Sequence, residues 1–269
     1  YHVVRPGETL IGIALEYGVS VDALGVANDV TNSSLIYPGQ CLLIPDHADS
    51  EGLQPLSPGL TSHPSFMPGN LGYGACVHLL GQDVDAILDM VQALGFDWVN
   101  QRVEWKLFEP VKGQIQWHAL DEVVGAVSNR DMHLILNVVK APTWARPQDA
   151  DLSVDGPPEN PTDYGDFVAA LASRYAGRVA AYEVWNEQNL WYEWGGKGKL
   201  SAERYVALLR EAYLHIKAAD PIAIVISGGL TPTGVNDGYV AFDDVHYLAQ
   251  LYIAGAAPYF DVLGAHPSG

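Results

Sequence analysis

Apolar residues fall along the chain in two periods, and the change between them divides it. Residues 1–4 read as a short strand and 5–8 as a turn. Leu10, Ile13, Ala14 and Tyr17 then recur at helical spacing, with Thr9 placed to cap the helix and Gly18 to end it. Ser20 caps a second helix carrying Leu24 and Ala27. Tyr37, Pro38 and Gly39 make a turn, and residues 40–44 form a second strand. The order over residues 1–45 is strand, helix, helix, strand. Residues 46–70 then lose periodicity. Pro55, Pro58, Pro64 and Pro68 among Gly, Ser, Thr and acidic residues predict a semi-extended linker.

From residue 71 onward, strand and helix patterns alternate six times. Strands are expected at 71–77, 98–103, 133–139, 179–185, 223–227 and 260–265. The intervening helices place Val84, Ile87, Leu88 and Val91 on one face, then Leu120, Val123, Val124 and Val127, then Tyr205, Leu208, Leu209, Ala212 and Ile216. Residues 133–139 are continuously apolar, as suits a parallel strand covered on both faces. Regular alternation of this kind predicts a parallel α/β sheet. The long loops, 104–117, 140–162, 188–200 and 228–244, all follow strands, which is the asymmetry of a (β/α)8 barrel with its site at one end.

Composition narrows the partners. The chain has 269 residues, 48% of them apolar, enough for a sizeable core. A formal net charge of −18 disfavours nucleic acid and anionic membranes, and suits a neutral polysaccharide or plain solubility. No apolar run is long enough to span a bilayer. The chain opens on Tyr1 with no export signal, so an excised or mature product is expected. Cys41 and Cys76 lie in different segments and give neither a disulfide framework nor a metal pair. No cofactor or metal is expected, since no Gly-rich nucleotide loop follows any strand.

The candidate chemistry lies where the fourth strand ends. Apolar residues from Val179 give way to Asn186, Glu187, Gln188 and Asn189, polar groups at the face where parallel β/α proteins bind ligands. A Glu there can protonate a leaving oxygen, and an Asn can hydrogen-bond a sugar hydroxyl. Arg102 ends the second strand, where a guanidinium can hold a carboxylate. Trp144, and the run Trp191, Tyr192 and Trp194, are aromatic loop residues of the kind that stack on sugars. His266 closes the sixth strand.

Two resemblances sharpen these readings. Trp185-Asn186-Glu187, with Arg102, Trp105, Glu109-Pro110, Gly113, Trp117 and Pro142-x-Trp144-Ala145, resembles the retaining glycoside hydrolases of clan A, a TIM-barrel clan that includes families 39 and 5. The resemblance spans residues 71–269. It implies Glu187 as acid/base, Asn186 and Arg102 as its assistants, and Trp144, Trp191, Tyr192, Trp194 and His266 as substrate-facing. Residues 1–45, through Tyr1-His-Val-Val-Arg-Pro-Gly-Glu-Thr-Leu10 and Leu35-Ile-Tyr-Pro-Gly-Gln40, resemble a LysM domain. That implies binding of N-acetylglucosamine-containing glycan such as peptidoglycan or chitin. The groove it implies is formed by Gly7, Glu8, Thr9 and Leu10 with Asn32, Ser33, Ser34, Leu35 and Ile36.

The expectation is therefore a LysM module joined to a TIM-barrel-type domain of about six β/α units, acting as a secreted or cell-surface glycosidase. In clan A the nucleophilic Glu lies on a seventh strand. Six strands are counted here, so the 269 residues are expected to be inactive by themselves. The alternative is a non-catalytic glycan-binding or surface-assembly protein with a degenerate barrel. A chitinase-type hydrolase is disfavoured because its Asp-rich strand motif is absent.

Overall fold

In the computed structural model the residues described are 1–4, 10–17, 19, 21–28, 30, 36, 40–45 and 72–267. They belong to two units, Tyr1–Ser62 and His63–Gly269. The expected linker at 46–70 lies outside the described residues.

In the first unit, β1 (His2–Val3) pairs antiparallel with β2 (Cys41–Leu42). Helices α1 (Leu10–Tyr17) and α2 (Val21–Val26) come between them in sequence. Leu10, Ile13, Ala14 and Leu24, the apolar positions of the helical pattern, meet Val4 and Leu42 in one small core. Asn28 fastens the end of α2 to the segment after β2. Its amide donates to the carbonyls of Leu24 (2.7 Å) and Leu43 (2.8 Å) and accepts from the Leu43 N–H (2.6 Å).

The second unit is a five-stranded parallel sheet: β3 (Gly74–Val77), β4 (Trp98–Glu104), β5 (His133–Val139), β6 (Ala181–Val184) and β7 (Ile224–Ser227), side by side in sequence order. Helices α3 (Val84–Ala93), α4 (Trp105–Phe108), α5 (His118–Ser128), α6 (Pro161–Arg174), α7 (Ala202–Ala219) and α8 (Asp244–Ile253) fill the connections. Side-chain caps start four of them. Asp83, Asn160, Ser201 and Asp243 accept from backbone N–H groups of the first turns of α3, α6, α7 and α8. The sheet and its helices fit part of a TIM barrel; no closed barrel is formed among the described residues.

Alternation along β4 decides the two sides of the sheet. Val99, Gln101 and Val103 are buried on one side, whereas Asn100, Arg102 and Glu104 share the other. Register carries that second row across the sheet. Arg102 stands beside Asn137, which stands beside Glu183. A line of polar residues therefore crosses the middle strands.

The sixth strand expected at 260–265 does not form. That segment runs along β7 through two isolated parallel bridges, Ile226 to Val262 and Leu230 to Ala265. Between the bridges the pairing offset changes by one residue. Side chains take ladder positions instead: the Asp261 carboxylate accepts from the Val225 N–H (2.8 Å), and the Ser227 hydroxyl accepts from the Gly264 N–H (3.0 Å). A strand whose backbone groups are taken by side chains has no regular ladder to extend.

Candidate active site

The turn after β6 is strained. Trp185 has φ +71° and Glu187 has φ +46°, both in the left-handed region that non-glycine residues rarely adopt. Each such residue costs about 1–2 kcal/mol and persists only where its surroundings hold it. The holding bonds are visible. The Trp185 N–H donates to Val138 O (3.0 Å), and the Asn137 amide donates to Trp185 O (2.8 Å). The Trp185 indole donates to Glu193 O (3.0 Å), and the Glu187 N–H donates to Gly229 O (2.9 Å). This conformation turns the Glu187 carboxylate to the end of the sheet, where it pairs with His266 (Nδ1 to Oε1, 3.0 Å).

Gly229 is the junction of this arrangement. Its carbonyl fixes the Glu187 backbone, and its N–H donates to the buried Glu183 carboxylate (3.2 Å). The space a Cβ would need is filled by the His266 ring, with Cδ2 2.6 Å and Cε1 3.0 Å away. Only glycine lets the imidazole lie against this backbone and reach Glu187. Gly228 beside it is equally crowded, by the Gln188 amide and Val184 O, and its N–H donates to the Tyr205 hydroxyl (2.7 Å). Tyr205 in turn donates to Val184 O (3.0 Å), tying the end of β6 to the exit of β7.

Other expected residues fall as follows. Asn186 is buried to 6% exposure, and its side-chain amide has no hydrogen-bond partner among the described residues. Arg102 shares its face of β4 with Asn100, whose amide donates to Glu183 (3.0 Å), and Glu104, which pairs with Lys140 (2.8 Å). Lys140, Glu104, Lys106 and Asp155 form a mixed ionic cluster, with Lys106 2.7 Å and Lys140 3.3 Å from Asp155. Burial pushes the Asp155 carboxyl up, but the two lysines outweigh it and hold it below its ordinary value. Glu193 behaves oppositely. Burial raises its carboxyl above the ordinary value, although Arg102 and Lys140 act downward, and one of its oxygens is buried without a partner. Burial, with Glu187 and Glu193 nearby, raises the Tyr192 hydroxyl.

Of the four aromatic expectations, Trp194 and Trp144 need revision. Trp194 offers no open ring face for a sugar to stack on. It is fully buried, edge-on to Trp185 (5.6 Å) and Tyr205 (5.7 Å), because the 190–196 turn folds it under the motif. Trp144 lies edge-on to Trp105 (5.4 Å), donates to Glu109 O (2.8 Å) and carries the Lys112 ammonium over its ring (5.3 Å), so it joins two loops. Trp191 and Tyr192 keep accessible surface, Tyr192 at 44%. Glu109 is structural: both of its oxygens accept, from the Trp105 indole (2.6 Å) and the Gly113 N–H (2.6 Å).

In the first unit, Gly7, Glu8, Thr9, Asn32, Ser33, Ser34 and Leu35 lie outside the described residues. Leu10 is a core residue at 1% exposure, so its side chain faces the other helix and not a ligand. Ile36 packs against the same core. Sequence reading missed Glu183, Gly228 and Gly229. The pair Gly228-Gly229 immediately after a strand was the available signal, because successive glycines there mark close backbone approach. No cluster of His, Cys, Asp and Glu able to hold a metal occurs among the described residues. No helix there is long and apolar enough to cross a membrane.

Comparison with known proteins agrees with this fold. The LysM domain profile matches residues 2–45, and the cellulase (glycosyl hydrolase family 5) profile matches residues 70–246. Among solved structures, a family 39 glycoside hydrolase from Bacteroides cellulosilyticus WH2 is 23% identical with TM-score 0.56, over 72% of this chain and 37% of that one. The exo-β-1,4-mannosidase Op5Man5 from Opitutaceae bacterium strain TAV5 is 17% identical with TM-score 0.50, over 60% and 32%. Fpglu1 from Fervidobacterium pennivoraus is 11% identical with TM-score 0.51, over 68% and 49%. At these identities the likeness is one of fold, and the chain spans a third to a half of these three structures. No curated protein matches. With a family profile covering most of the chain and a barrel-like sheet beneath it, the chain belongs to the cellulase (glycosyl hydrolase family 5) family and carries a LysM domain at its amino terminus.

Proposed function

We propose that the protein is an extracellular or cell-surface glycosidase acting with retention, held to N-acetylglucosamine-containing wall glycan by its LysM domain. The observation that carries this reading is the Glu187 carboxylate, set at the carboxyl end of the sheet by a strained, multiply bonded turn and paired with His266. In the first step Glu187 gives its proton to the leaving glycosidic oxygen as the C–O bond breaks. In the second it takes a proton from the water that attacks the anomeric carbon. His266 orients the carboxyl, and the unpartnered Asn186 amide is available to a sugar hydroxyl beside it. Arg102 steadies the nucleophilic carboxylate, and Trp191 and Tyr192 line the approach.

Retention needs a second carboxyl about 5–5.5 Å from the first. Among the described residues the group paired with Glu187 is His266, and Glu109 is consumed by Trp105 and Gly113. On this reading the nucleophile belongs to a strand other than the five described, and residues 1–269 alone give no turnover. The test is Glu187→Gln in the full-length gene product, assayed on glycosides with poor and with activated leaving groups. A first step slowed for poor leaving groups, with turnover on activated leaving groups held back at the second step, supports the role; unchanged turnover on all substrates overturns it. The pairing of Glu187 with an imidazole, and the engagement of Glu109 by the Trp105 indole and the Gly113 N–H, favour a second reading, a non-catalytic glycan binder. Glycan binding without turnover by the full-length protein would establish it.

A further inference from the structure

A cavity of about 220 Å³ lies between the loop after β5 and the loop after β6, lined by Arg146, Pro157, Trp194, Lys199 and Arg204, with Asp149 and Glu159 at its wall. It shares no lining residue with the Glu187–His266 pair. Its donors are unusual for so acidic a chain. Arg146 is nine-tenths buried (9% exposed), yet among the described residues its guanidinium donates hydrogen bonds only to main-chain carbonyls, of Val154 (3.2 Å) and Asp151 (3.4 Å). Its Nε is buried without any partner. Of the nearby carboxylates, Asp155 is held by Lys106 and Lys140 and Asp151 by Ser153, and both act on Arg146 through space without a hydrogen bond to it. Trp194, fully buried in the same wall, also has an indole N–H without a partner. Arg204 makes no ion pair among the described residues, and its charge repels that of Arg146. Asp149 is drawn to Lys199, at 3.8 Å.

A guanidinium this buried without a hydrogen-bonded carboxylate is costly. Gly156 and Gly195 lie against it: a Cβ on Gly156 would stand 2.7 Å from Arg146 Nη2, and one on Gly195 3.8 Å. The backbone there leaves room for the guanidinium and for a group beside it. The volume is below the roughly 300 Å³ at which pockets for drug-sized ligands begin. It suits one ring bearing one charged group.

We propose that this cavity binds the carboxylate of a uronic acid residue, clamped between Arg146 and Arg204. Planar guanidinium forks match a carboxylate bidentately, and Lys199 adds a rotatable donor at the mouth. The sugar half of this assignment rests on the glycosidase reading, whereas the cationic half does not. Binding and turnover are separate measurements, so either idea can fail alone.

The experiment is a titration of the 15N-labelled 269-residue chain with glucuronate, glucose and acetate, following the Arg146 Nε–H and the Trp194 indole N–H. A Trp194→Phe variant assigns the indole signal. Glucuronate is expected to shift both signals saturably, acetate more weakly and glucose not at all. Arg204→Ala, an exposed change in the first turn of α7, is expected to weaken glucuronate roughly tenfold while leaving the melting temperature unchanged. Arg146→Lys, which keeps the charge but loses the fork, is expected to weaken it as well. Unmoved signals with glucuronate, equal affinity for acetate, or unchanged affinity in Arg204→Ala would each overturn the assignment.

Discussion

Replacing Gly229 by Ala tests how the Glu187–His266 pair is built. The backbone of Gly229 is not in the left-handed region, so alanine meets no conformational objection there. The objection is steric. The new methyl would stand 2.6 Å from Cδ2 and 3.0 Å from Cε1 of His266, where ordinary contact begins at 3.4 Å. The ring must withdraw by about 1 Å in a region packed to near-crystalline density. A 3.0 Å hydrogen bond to Glu187 does not survive that displacement. Overpacking costs about 1–3 kcal/mol. The lost His–Glu contact adds about 1 kcal/mol at most, since both side chains keep solvent access, at 37% and 23% exposure. Gly229→Ala is therefore expected to lose about 2–4 kcal/mol in urea unfolding followed by tryptophan fluorescence. The decisive comparison is a double-mutant cycle. In a His266→Ala background the methyl has room, so the same glycine substitution is expected to cost under about 1 kcal/mol. An equal cost in both backgrounds would refute the placement of the ring.

Tyr205→Phe removes a hydroxyl that bridges the Gly228 N–H and Val184 O in a fully buried place, so a loss of about 1–3 kcal/mol in urea unfolding is expected. For Glu193 the folded carboxyl is raised by burial above its unfolded value, so it contributes stability that is present at low pH and lost as pH rises through the folded value. The urea midpoint of the wild-type chain, relative to Glu193→Gln, is expected to rise on going from neutral pH toward pH 5; a relative fall would reverse the sign. Asn28→Ala deletes three hydrogen bonds at the end of α2, about 2 kcal/mol, from a unit without tryptophan. Far-UV circular dichroism is expected to show an earlier melting phase while the tryptophan transition stays in place.

Strands β4 and β5 were legible because an apolar run, or a clean alternation, has one reading in a parallel sheet. Residues 133–139 form a strand with the bounds that their composition implies. The segment at 260–265 has the same apolar look, but Asp261 and Ser227 occupy its ladder, and no periodicity records a side chain competing with a backbone group. At the site, Glu187 and His266 were visible as residue types at strand ends. Their contact was not, since it spans 79 residues and depends on a missing Cβ at Gly229. The left-handed turn at Trp185 and Glu187 was equally hidden, because neither residue favours that conformation and only the surrounding bonds impose it. Trp194 was misplaced because aromatic density in a loop has two physical outcomes, a platform or a hinge pin, and burial alone separates them.

The role of Glu187 is met most directly by chemical rescue. Glu187→Ala in the full-length gene product is assayed on an aryl glycoside with an activated leaving group, with and without azide. If Glu187 is the acid/base, hydrolysis is slow without azide because no general base activates water. With azide the rate recovers, and the product is a glycosyl azide of the same anomeric configuration as the substrate. Wild-type hydrolysis rates in the variant, or an azide adduct of inverted configuration, would contradict the assignment.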